Sequence, residues 1–197
     1  MKSIKGFTLI EMLLALALLS IVLGALYSTF FLSHRAMEGI DGGLVKLQEC
    51  RMAVDIIGRE VDSAVYNEGN KYSVFTVEDR DIYGKQASRL VFTALSPLMP
   101  GLSTLSYSVE EKDGKLTLLK KVRSAYGEDN TDKGTELLED IENFIVEVKD
   151  NGKWIRTWNA MESKKVPEEI RVAITIMLKD RKISLYETLR PKIGKSL

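Results

Sequence analysis

The apolar positions of the chain form three patterns that follow one another along the sequence. The first is an unbroken apolar run from Met12 to Leu32 that contains no charged side chain. An α-helix rises about 1.5 Å per residue, so this run is long enough to cross a hydrocarbon core of about 30 Å. A secretory signal peptide has a shorter apolar region, about 7–15 residues, and a small-residue cleavage site, which residues 32–34 do not provide. The run therefore predicts a membrane-spanning helix.

The second pattern is an amphipathic helix over residues 44–66. Its apolar positions recur at spacings of three, four and seven residues, the periodicity of one helix face. Because no proline interrupts residues 7–66, one helix over almost this whole range is sterically allowed. A glycine cluster between the halves favours a kink or break, since each internal glycine costs about 1 kcal/mol. The stripe comprises Leu44, Leu47, Val54, Ile57, Val61 and Val65, and the glycines are Gly39, Gly42 and Gly43.

The third pattern, beyond Tyr66, consists of short β-rich runs joined by tight turns. Asp113-Gly114 and Asn151-Gly152 each lie between two such runs, which indicates two-residue hairpin turns. A third hairpin is predicted around residues 179–182. Hairpins without long intervening helices form an antiparallel sheet, so the predicted fold class is α+β. The predicted strands are 72–77, 89–95, 105–111, 115–122, 144–149, 154–158, 172–178 and 183–189, and residues 135–143 are predicted as a short helix or the approach to a strand.

Charge and cysteine content exclude several classes of protein. The 28 basic and 28 acidic residues give a formal net charge of zero, so the chain has no overall basic field for nucleic acid. A charged fraction of 28% excludes a multispan membrane protein. The one cysteine, Cys50, excludes an internal disulfide and a Cys-based zinc site, and we interpret it as a packing residue. The charge is uneven, because Glu11 is the only charged residue between Gly6 and Ser33.

Motifs for catalysis or cofactor binding are absent from the sequence. It contains no nucleotide-binding loop, metalloprotease motif or hydrolase nucleophile motif, and its one histidine, His34, adjoins the apolar run. No cofactor is predicted. An acidic loop over residues 128–136 contains Asp129, Asn130 and Asp132, whose oxygens are suitable Ca²⁺ ligands. Lys133 occupies a ligand position, so a solvated loop is the favoured interpretation.

Two further groups of residues receive structural interpretations. Trp154 and Trp158 lie four residues apart on one predicted strand and are expected to face the core together. The basic residues at positions 120–123 are expected to protect the edge of a sheet.

A specific motif precedes the apolar run. Residues 6–11 read Gly-Phe-Thr-Leu-Ile-Glu after a short Lys-containing leader. This order resembles the class III signal of type IV pilins and pseudopilins. The resemblance implies that a membrane prepilin peptidase cleaves between Gly6 and Phe7 and methylates the new Phe7 amine. It also implies that Glu11 pairs with the Phe7 amine of a neighbouring subunit, which would offset the cost of burying a carboxylate.

The C-terminal half is similar to the minor pseudopilin J family of type II secretion systems. The features that carry the similarity are the Asp-x-Gly-x-Trp turn at residues 150–154, the second tryptophan at Trp158 and the strand-opening Pro167. The acidic pair Glu168 and Glu169 departs from the family pattern. The resemblance implies a pilin-like fold, in which a long N-terminal helix packs on an antiparallel sheet.

The resemblance also implies the organisation of the chain. Positive residues tend to remain on the cytoplasmic side of a membrane, and Lys2 and Lys5 precede the span, so the N-terminus is predicted to be cytoplasmic. The protein is then expected in the bacterial inner membrane, as a single-pass protein with a periplasmic C-terminal domain. The predicted parts are a cleaved leader (1–6), a transmembrane helix (7–33), its amphipathic continuation (34–66), a periplasmic β domain (67–190) and a tail (191–197).

The function that the resemblance implies is mechanical. A minor pseudopilin would join a tip complex that primes the pseudopilus and helps to export folded proteins through the outer membrane. The implied partners are the K-, I- and H-type minor pseudopilins, the major pseudopilin, the prepilin peptidase, the inner-membrane assembly platform and the lipid bilayer, without nucleic acid. The alternative is a minor type IV pilin that acts in pilus initiation, adhesion or DNA uptake. A single-span membrane enzyme is a more remote possibility.

Overall fold

The computed structural model describes residues 6–95, 101–127 and 134–191, and for residues 36–41 it describes the backbone alone. The chain divides into two compact units, residues 1–45 and 46–197. The long helix α1 (Leu9–Asp62) begins in the first unit and ends in the second, which also contains all the strands. The fold class is therefore α+β, and the arrangement is pilin-like, as predicted.

Helix α1 is continuous through the glycine cluster. It runs through Gly39, Gly42 and Gly43 without a change in secondary structure, so the expectation of a break was wrong. The helix ends in tighter bonds, from the Ser63 amide to the Glu60 carbonyl (3.1 Å) and from the Ala64 amide to the Val61 carbonyl (3.0 Å). Such i→i−3 bonds satisfy carbonyls that a helix end otherwise leaves without partners.

The described strands of the second unit form a nine-stranded sheet and a small two-stranded hairpin. The main order is β11-β10-β7-β6-β5-β4-β1-β9, β8 pairs with β7 outside this path, and every ladder is antiparallel. The elements are β1 (Phe75–Glu78), β2 (Asp81–Ile82), β3 (Lys85–Gln86), β4 (Arg89–Leu95), β5 (Leu102–Lys112), β6 (Lys115–Ser124), β7 (Thr135–Asp150), β8 (Lys153–Ile155), β9 (Trp158–Asn159), α2 (Ala160–Ser163), β10 (Glu169–Leu178) and β11 (Arg181–Leu189).

Strand β7 organises the curl of the sheet. Its N-terminal half pairs with β6 and its last three residues pair with β8, while β10 pairs along its opposite edge. Between the β6 and β8 ladders, Ala87 forms a parallel bridge with Phe144. The Ser88 amide donates to the Phe144 carbonyl (2.9 Å), and the Ser88 hydroxyl accepts a bond from the Val146 amide (3.1 Å). The chain before β4 thus returns to β7 and curls the sheet around its core.

The three predicted hairpin turns are present. Asp113-Gly114 and Asn151-Gly152 have φ values of 53° and 75°, and of 48° and 78°. These values match a two-residue turn that requires positive φ at both positions. The third turn is tighter than predicted, because Leu178 pairs directly with Arg181 and only residues 179–180 lie between them.

Three of the structural interpretations made from the sequence were wrong or incomplete. Residues 135–143 are neither a helix nor an approach, since β7 begins at Thr135 and absorbs a register shift near Asp140, whose φ is 55°. Trp154 and Trp158 lie on different strands, and only Trp158 is buried. The basic residues at 120–123 do not protect an edge, because β6 lies between β5 and β7.

The core of the second unit lies between the sheet and residues 50–64 of the chain. Val54, Ile57 and Val61 are buried as the helical stripe predicted. Cys50 and the alanines at 53 and 64 complete the buried face, whereas Leu44 is exposed. Small side chains in this stripe allow the helix backbone to approach the strands closely.

Candidate functional site

The predicted processing site lies in exposed chain immediately before α1. Gly6, Phe7 and Thr8 have no regular secondary structure, and the Phe7 side chain is 84% exposed. An irregular, accessible segment is the kind of backbone that a protease can bind. The predicted cleavage point between Gly6 and Phe7 therefore lies in accessible chain.

Gly6 is not required by the conformation of the chain. Among the described residues beyond its chain neighbours, none has an atom within 4 Å of the position that a Cβ would occupy there, and the φ of Gly6 is not in the positive region that favours glycine. The fold therefore gives no steric or backbone reason for a glycine at this position. A requirement for Gly6 has to come from a molecule that binds this segment.

Glu11 lies in the first turn of α1 and caps the helix. Its carboxylate accepts hydrogen bonds from the Thr8 amide and from the Thr8 hydroxyl, both at 2.8 Å. The Thr8 hydroxyl in turn accepts a longer bond from the Glu11 amide (3.4 Å). This reciprocal arrangement is a capping box, which satisfies amides that a helix N-terminus leaves without partners. The pattern Thr-x-x-Glu was visible in the sequence, but its capping role was not predicted.

The first part of α1 has the composition of a membrane span. The most apolar 18-residue stretch within Leu9–Arg35 has a mean hydropathy of 2.6, and none of that stretch is buried within the structure. The Ser20 and Thr29 hydroxyls donate to the carbonyls of Leu16 and Ala25, at 2.8 and 2.9 Å. Because both hydroxyls are satisfied within the helix, neither brings an unpaired polar group into hydrocarbon. A helix with apolar residues exposed all round fits a lipid surrounding.

The second unit contains a buried polar cluster that sequence reasoning missed. The Glu60 carboxylate accepts hydrogen bonds from the Lys120 ammonium group and from the Tyr107 hydroxyl. Burial and the neighbouring Glu60 charge raise the pKa of Tyr107 well above its ordinary value. Lys120 occupies an inward position of β6, after Leu116 and Leu118, where the alternation calls for an apolar residue. A lysine at this inward position was the sequence signal that could have indicated a buried polar cluster.

Cys50 is a structural residue rather than a reactive one. Its side chain is fully buried, and burial raises the pKa of the thiol to about 11. Only the thiolate is nucleophilic, so this thiol is unreactive at neutral pH.

The described parts of the chain offer no candidate metal site. Among the side chains that the structure describes, in residues 6–35, 42–95, 101–127 and 134–191, no group of three or more His, Cys, Asp or Glu could hold a metal ion. The candidate calcium ligands Asp129, Asn130 and Asp132 lie outside the described residues. A groove of about 520 Å³ between α1 and β11 is lined by residues 55, 58, 59, 62 and 187–190, which include neither histidine nor cysteine.

The fold and the N-terminal segment define the chain as a pilin-like protein with one apolar N-terminal helix. Residues 1–27 match the prokaryotic N-terminal methylation motif. The model of the type II secretion system protein J family matches residues 28–182, and the chain belongs to that family. Searched against curated individual proteins, the chain has no significant match.

This membership establishes the general class of function. The protein is a type II secretion pseudopilin, and pseudopilins work together with other pseudopilins of the same system. A single apolar helix at the N-terminus fits a single-pass protein of the inner membrane.

Proposed function

We propose that this pseudopilin is a minor subunit of the pseudopilus tip complex, which primes assembly and so helps to export folded proteins. The observation that carries the proposal is the family match across residues 28–182, joined to a methylation motif at residues 1–27. The partners would be the K-, I- and H-type minor pseudopilins, the major pseudopilin and the inner-membrane assembly platform. A type IV pilus subunit would share the methylation motif, but the protein J match favours secretion.

The N-terminal segment is proposed as the substrate of a prepilin peptidase. Cleavage between Gly6 and Phe7 would remove Lys2 and Lys5 and create a free amine on Phe7, which the same enzyme would methylate. The exposed, irregular chain around this bond and the absence of any structural need for glycine at position 6 support this role. Lys2 and Lys5 support an N-terminus in the cytoplasm and a sheet domain in the periplasm.

Glu11 is proposed to have two roles, one in the single chain and one during assembly of the filament. In the isolated chain Thr8 donates two hydrogen bonds to its carboxylate, which offset part of the cost of a charge near the apolar span. That cost is about 2.5–3.5 kcal/mol at a helix centre. During assembly the Phe7 amine of a neighbouring subunit would supply the opposite charge that Thr8 lacks, and so favour the assembled state.

The mechanism needs no catalytic step by this chain. The role is structural, with energy supplied by an assembly ATPase through the membrane platform. The apolar helix would hold the subunit in the bilayer until it enters the growing filament.

Two measurements on a deletion strain complemented with single variants test the proposal. Mass spectrometry of the wild-type protein should show loss of residues 1–6 and gain of one methyl group when the prepilin peptidase is present. The Glu11→Ala variant should insert in the membrane normally but fail to support secretion, whereas Glu49→Ala, a matched change on an exposed helix position, should secrete normally. Unchanged mass would exclude the processing claim, and normal secretion by Glu11→Ala would exclude its assembly role.

A further inference from the structure

One face of the sheet carries an ordered arrangement of cations, carboxylates and aromatic rings across four neighbouring strands. We propose that this face docks an acidic surface of a neighbouring pseudopilin, and the proposal rests on the proposed function for the presence of that neighbour. The arrangement, called the cationic lattice below, comprises Glu147, Lys149, Trp154, Arg156, Glu169, Arg171 and Arg190.

The first row of the cationic lattice runs across β8, β7, β10 and the end of β11. Trp154 pairs with Lys149 in the β7–β8 ladder, and Lys149 pairs with Glu169 in the β7–β10 ladder. The Lys149 ammonium group lies 3.0 Å from a Glu169 oxygen. The Nε of Arg190 donates to the other Glu169 oxygen, also at 3.0 Å. One carboxylate therefore lies between two cations.

The second row lies two residues further along the strands and again has one carboxylate between two cations. Arg171 pairs with Glu147 in the β7–β10 ladder, and its guanidinium group lies 3.3 Å from a Glu147 oxygen. Arg156 approaches the other oxygen of Glu147 at 3.5 Å. The Arg171 guanidinium group also lies 4.0 Å from the centre of the Trp154 ring, within cation–π range, and so joins the two rows.

The exposure of these side chains makes the outermost layer positive. Glu169 and Glu147 are only 14% and 20% exposed, whereas the four cations range from 32% for Lys149 to 75% for Arg190. Hydrogen bonds from Lys149 and Arg190 lower the pKa of Glu169, so its charge is retained at neutral pH. Four cations against two carboxylates leave a local charge of +2 in a chain whose formal net charge is zero. A complementary surface must therefore be acidic.

The composition of the face favours a protein over a lipid surface. Trp154 is partly covered by Arg171, so the ring is not free to insert into a bilayer. The next row along the strands contains Ile145, Ala173 and the 72% exposed Tyr186. Arginine, tryptophan and tyrosine are the residue types enriched at the centres of protein interfaces.

The lattice also restricts the spacing of the partner's charges. Within each row the backbones of the two cations lie on either side of one intervening strand, about 10 Å apart at the ordinary strand spacing, and their charged groups converge on the two oxygens of one carboxylate. Their carboxylate partners hold them in place, so docking costs little additional side-chain entropy. We therefore expect the partner to present carboxylates less than about 10 Å apart, which would lie above the cations and avoid Glu147 and Glu169.

Site-specific photo-crosslinking in cells with the complete secretion system tests the proposal. The probe replaces Thr188, an exposed residue that pairs with Arg171 on this face, and a control probe replaces Tyr83, which is 85% exposed in the β2–β3 turn. We expect the Thr188 probe to crosslink to another pseudopilin, at a peptide that contains at least two carboxylates. The Tyr83 probe should not give this product.

Charge reversal then tests the electrostatic basis. The double change Arg156→Glu with Arg190→Glu should lower the Thr188 crosslink about ten-fold or more, since like charges across an interface cost several kcal/mol. A control with the same change in charge, Lys115→Glu with Lys164→Glu, alters exposed cations away from the lattice and should leave the yield unchanged. Replacing the crosslinked partner's carboxylates by lysine should restore the crosslink to the lattice variant.

Several outcomes would overturn the proposal. They are an unchanged yield in the lattice variant, absence of any Thr188 product, an adduct with phospholipid or with a second copy of this chain, and a contact peptide without carboxylates. Processing and secretion, measured in the same strains, test the proposed function independently of the docking surface. A deletion strain that secretes normally would exclude the proposed function, whereas a wild-type strain that secretes without the Thr188 crosslink would exclude the docking surface alone.

Discussion

The carboxylate of Glu60 on α1 accepts a hydrogen bond from the ammonium group of Lys120 on β6, in a contact that joins the end of the helix to the interior of the sheet. Both side chains are largely buried, with 13% and 9% of their surfaces exposed. The Tyr107 hydroxyl donates to the second oxygen of Glu60. Because each charged group has a partner, the cluster fixes how helix and strands meet without leaving an unpaired charge.

Removal of either member of this pair should destabilise the second unit strongly. Glu60→Leu leaves the Lys120 charge buried without a partner, and Lys120→Met does the same to Glu60. Each change should lower the free energy of unfolding by about 3–5 kcal/mol. The variant with both changes should lose less free energy of unfolding than the two single variants added together, because neither buried charge remains. Urea unfolding of the full-length protein in detergent, followed by the fluorescence of Trp154 and Trp158, measures these values.

An exposed ion pair provides the matched control for this prediction. Lys164 and Glu68 lie 3.1 Å apart, and both side chains are well exposed. Glu68→Ala should therefore change the free energy of unfolding by no more than about 0.5 kcal/mol. If Glu60→Leu cost as little as Glu68→Ala, the buried cluster would have no stabilising role.

The same cluster should make the protein sensitive to alkaline pH. Burial and the Glu60 charge raise the pKa of Tyr107 in the folded state above its unfolded value of about 10. A group whose pKa is raised by folding stabilises fully below the unfolded pKa, and that contribution falls as the pH rises above it. The free energy of unfolding should thus decrease above about pH 10, and Tyr107→Phe should flatten this dependence. An equally steep decrease in the Tyr107→Phe variant would refute the assignment.

Cys50 should contribute in the same direction at slightly lower pH. Burial raises the pKa of its thiol from 9.0 to about 11, so its contribution is complete below pH 9 and declines above it. The native thiol should also react with a maleimide only when the second unit unfolds. Labelling at pH 8 should therefore be slow without urea and fast above the unfolding midpoint, and rapid labelling of the native protein would contradict the observed burial.

The features that could be predicted from the sequence are those that a short segment of the chain determines. Residues 6–11 form a linear motif, and each hairpin depends on two turn residues, such as Asn151-Gly152, that need positive φ. The apolar run likewise predicts a span by length alone. In each case the physical requirement lies within residues that are close together in the chain.

The features that were missed depend on contacts between distant segments. Glu60 and Lys120 are separated by sixty positions, so residue spacing does not indicate that they pair. The interior position of β6 depends on its pairing with β7, a strand that the sequence pattern did not predict over residues 135–143. The cationic lattice likewise needs the register of four strands to bring Trp154 beside Arg171, and residue spacing does not contain that register.

Close packing against β11 is expected to limit the size of the side chain that position 58 can accept. A Cβ at this position would lie 3.1 Å from the Leu189 Cδ2 atom and 3.5 Å from a Glu187 oxygen. Gly58→Ala gains about 1 kcal/mol in helix propensity but has to displace Leu189, so its net effect should be small. Gly58→Val, which is larger and β-branched, should cost about 1–3 kcal/mol by overpacking. The cost of Gly58→Val should shrink in a Leu189→Ala background, and an unchanged cost would show that Leu189 is not the obstacle.

The turn between β10 and β11 should be open to stabilisation. Lys179 and Asp180 both have positive φ, 43° and 63°, in a conformation that favours Asn-Gly. The matching turn at Asn151 and Gly152 has this sequence and also has positive φ at both positions, 48° and 78°. Lys179→Asn combined with Asp180→Gly should therefore raise the free energy of unfolding by about 1 kcal/mol, since a left-handed conformation costs an ordinary residue about 1–2 kcal/mol. The converse change, Gly152→Ala, should lower it by a similar amount, and urea unfolding that showed no difference between the two variants would exclude backbone strain as the cause.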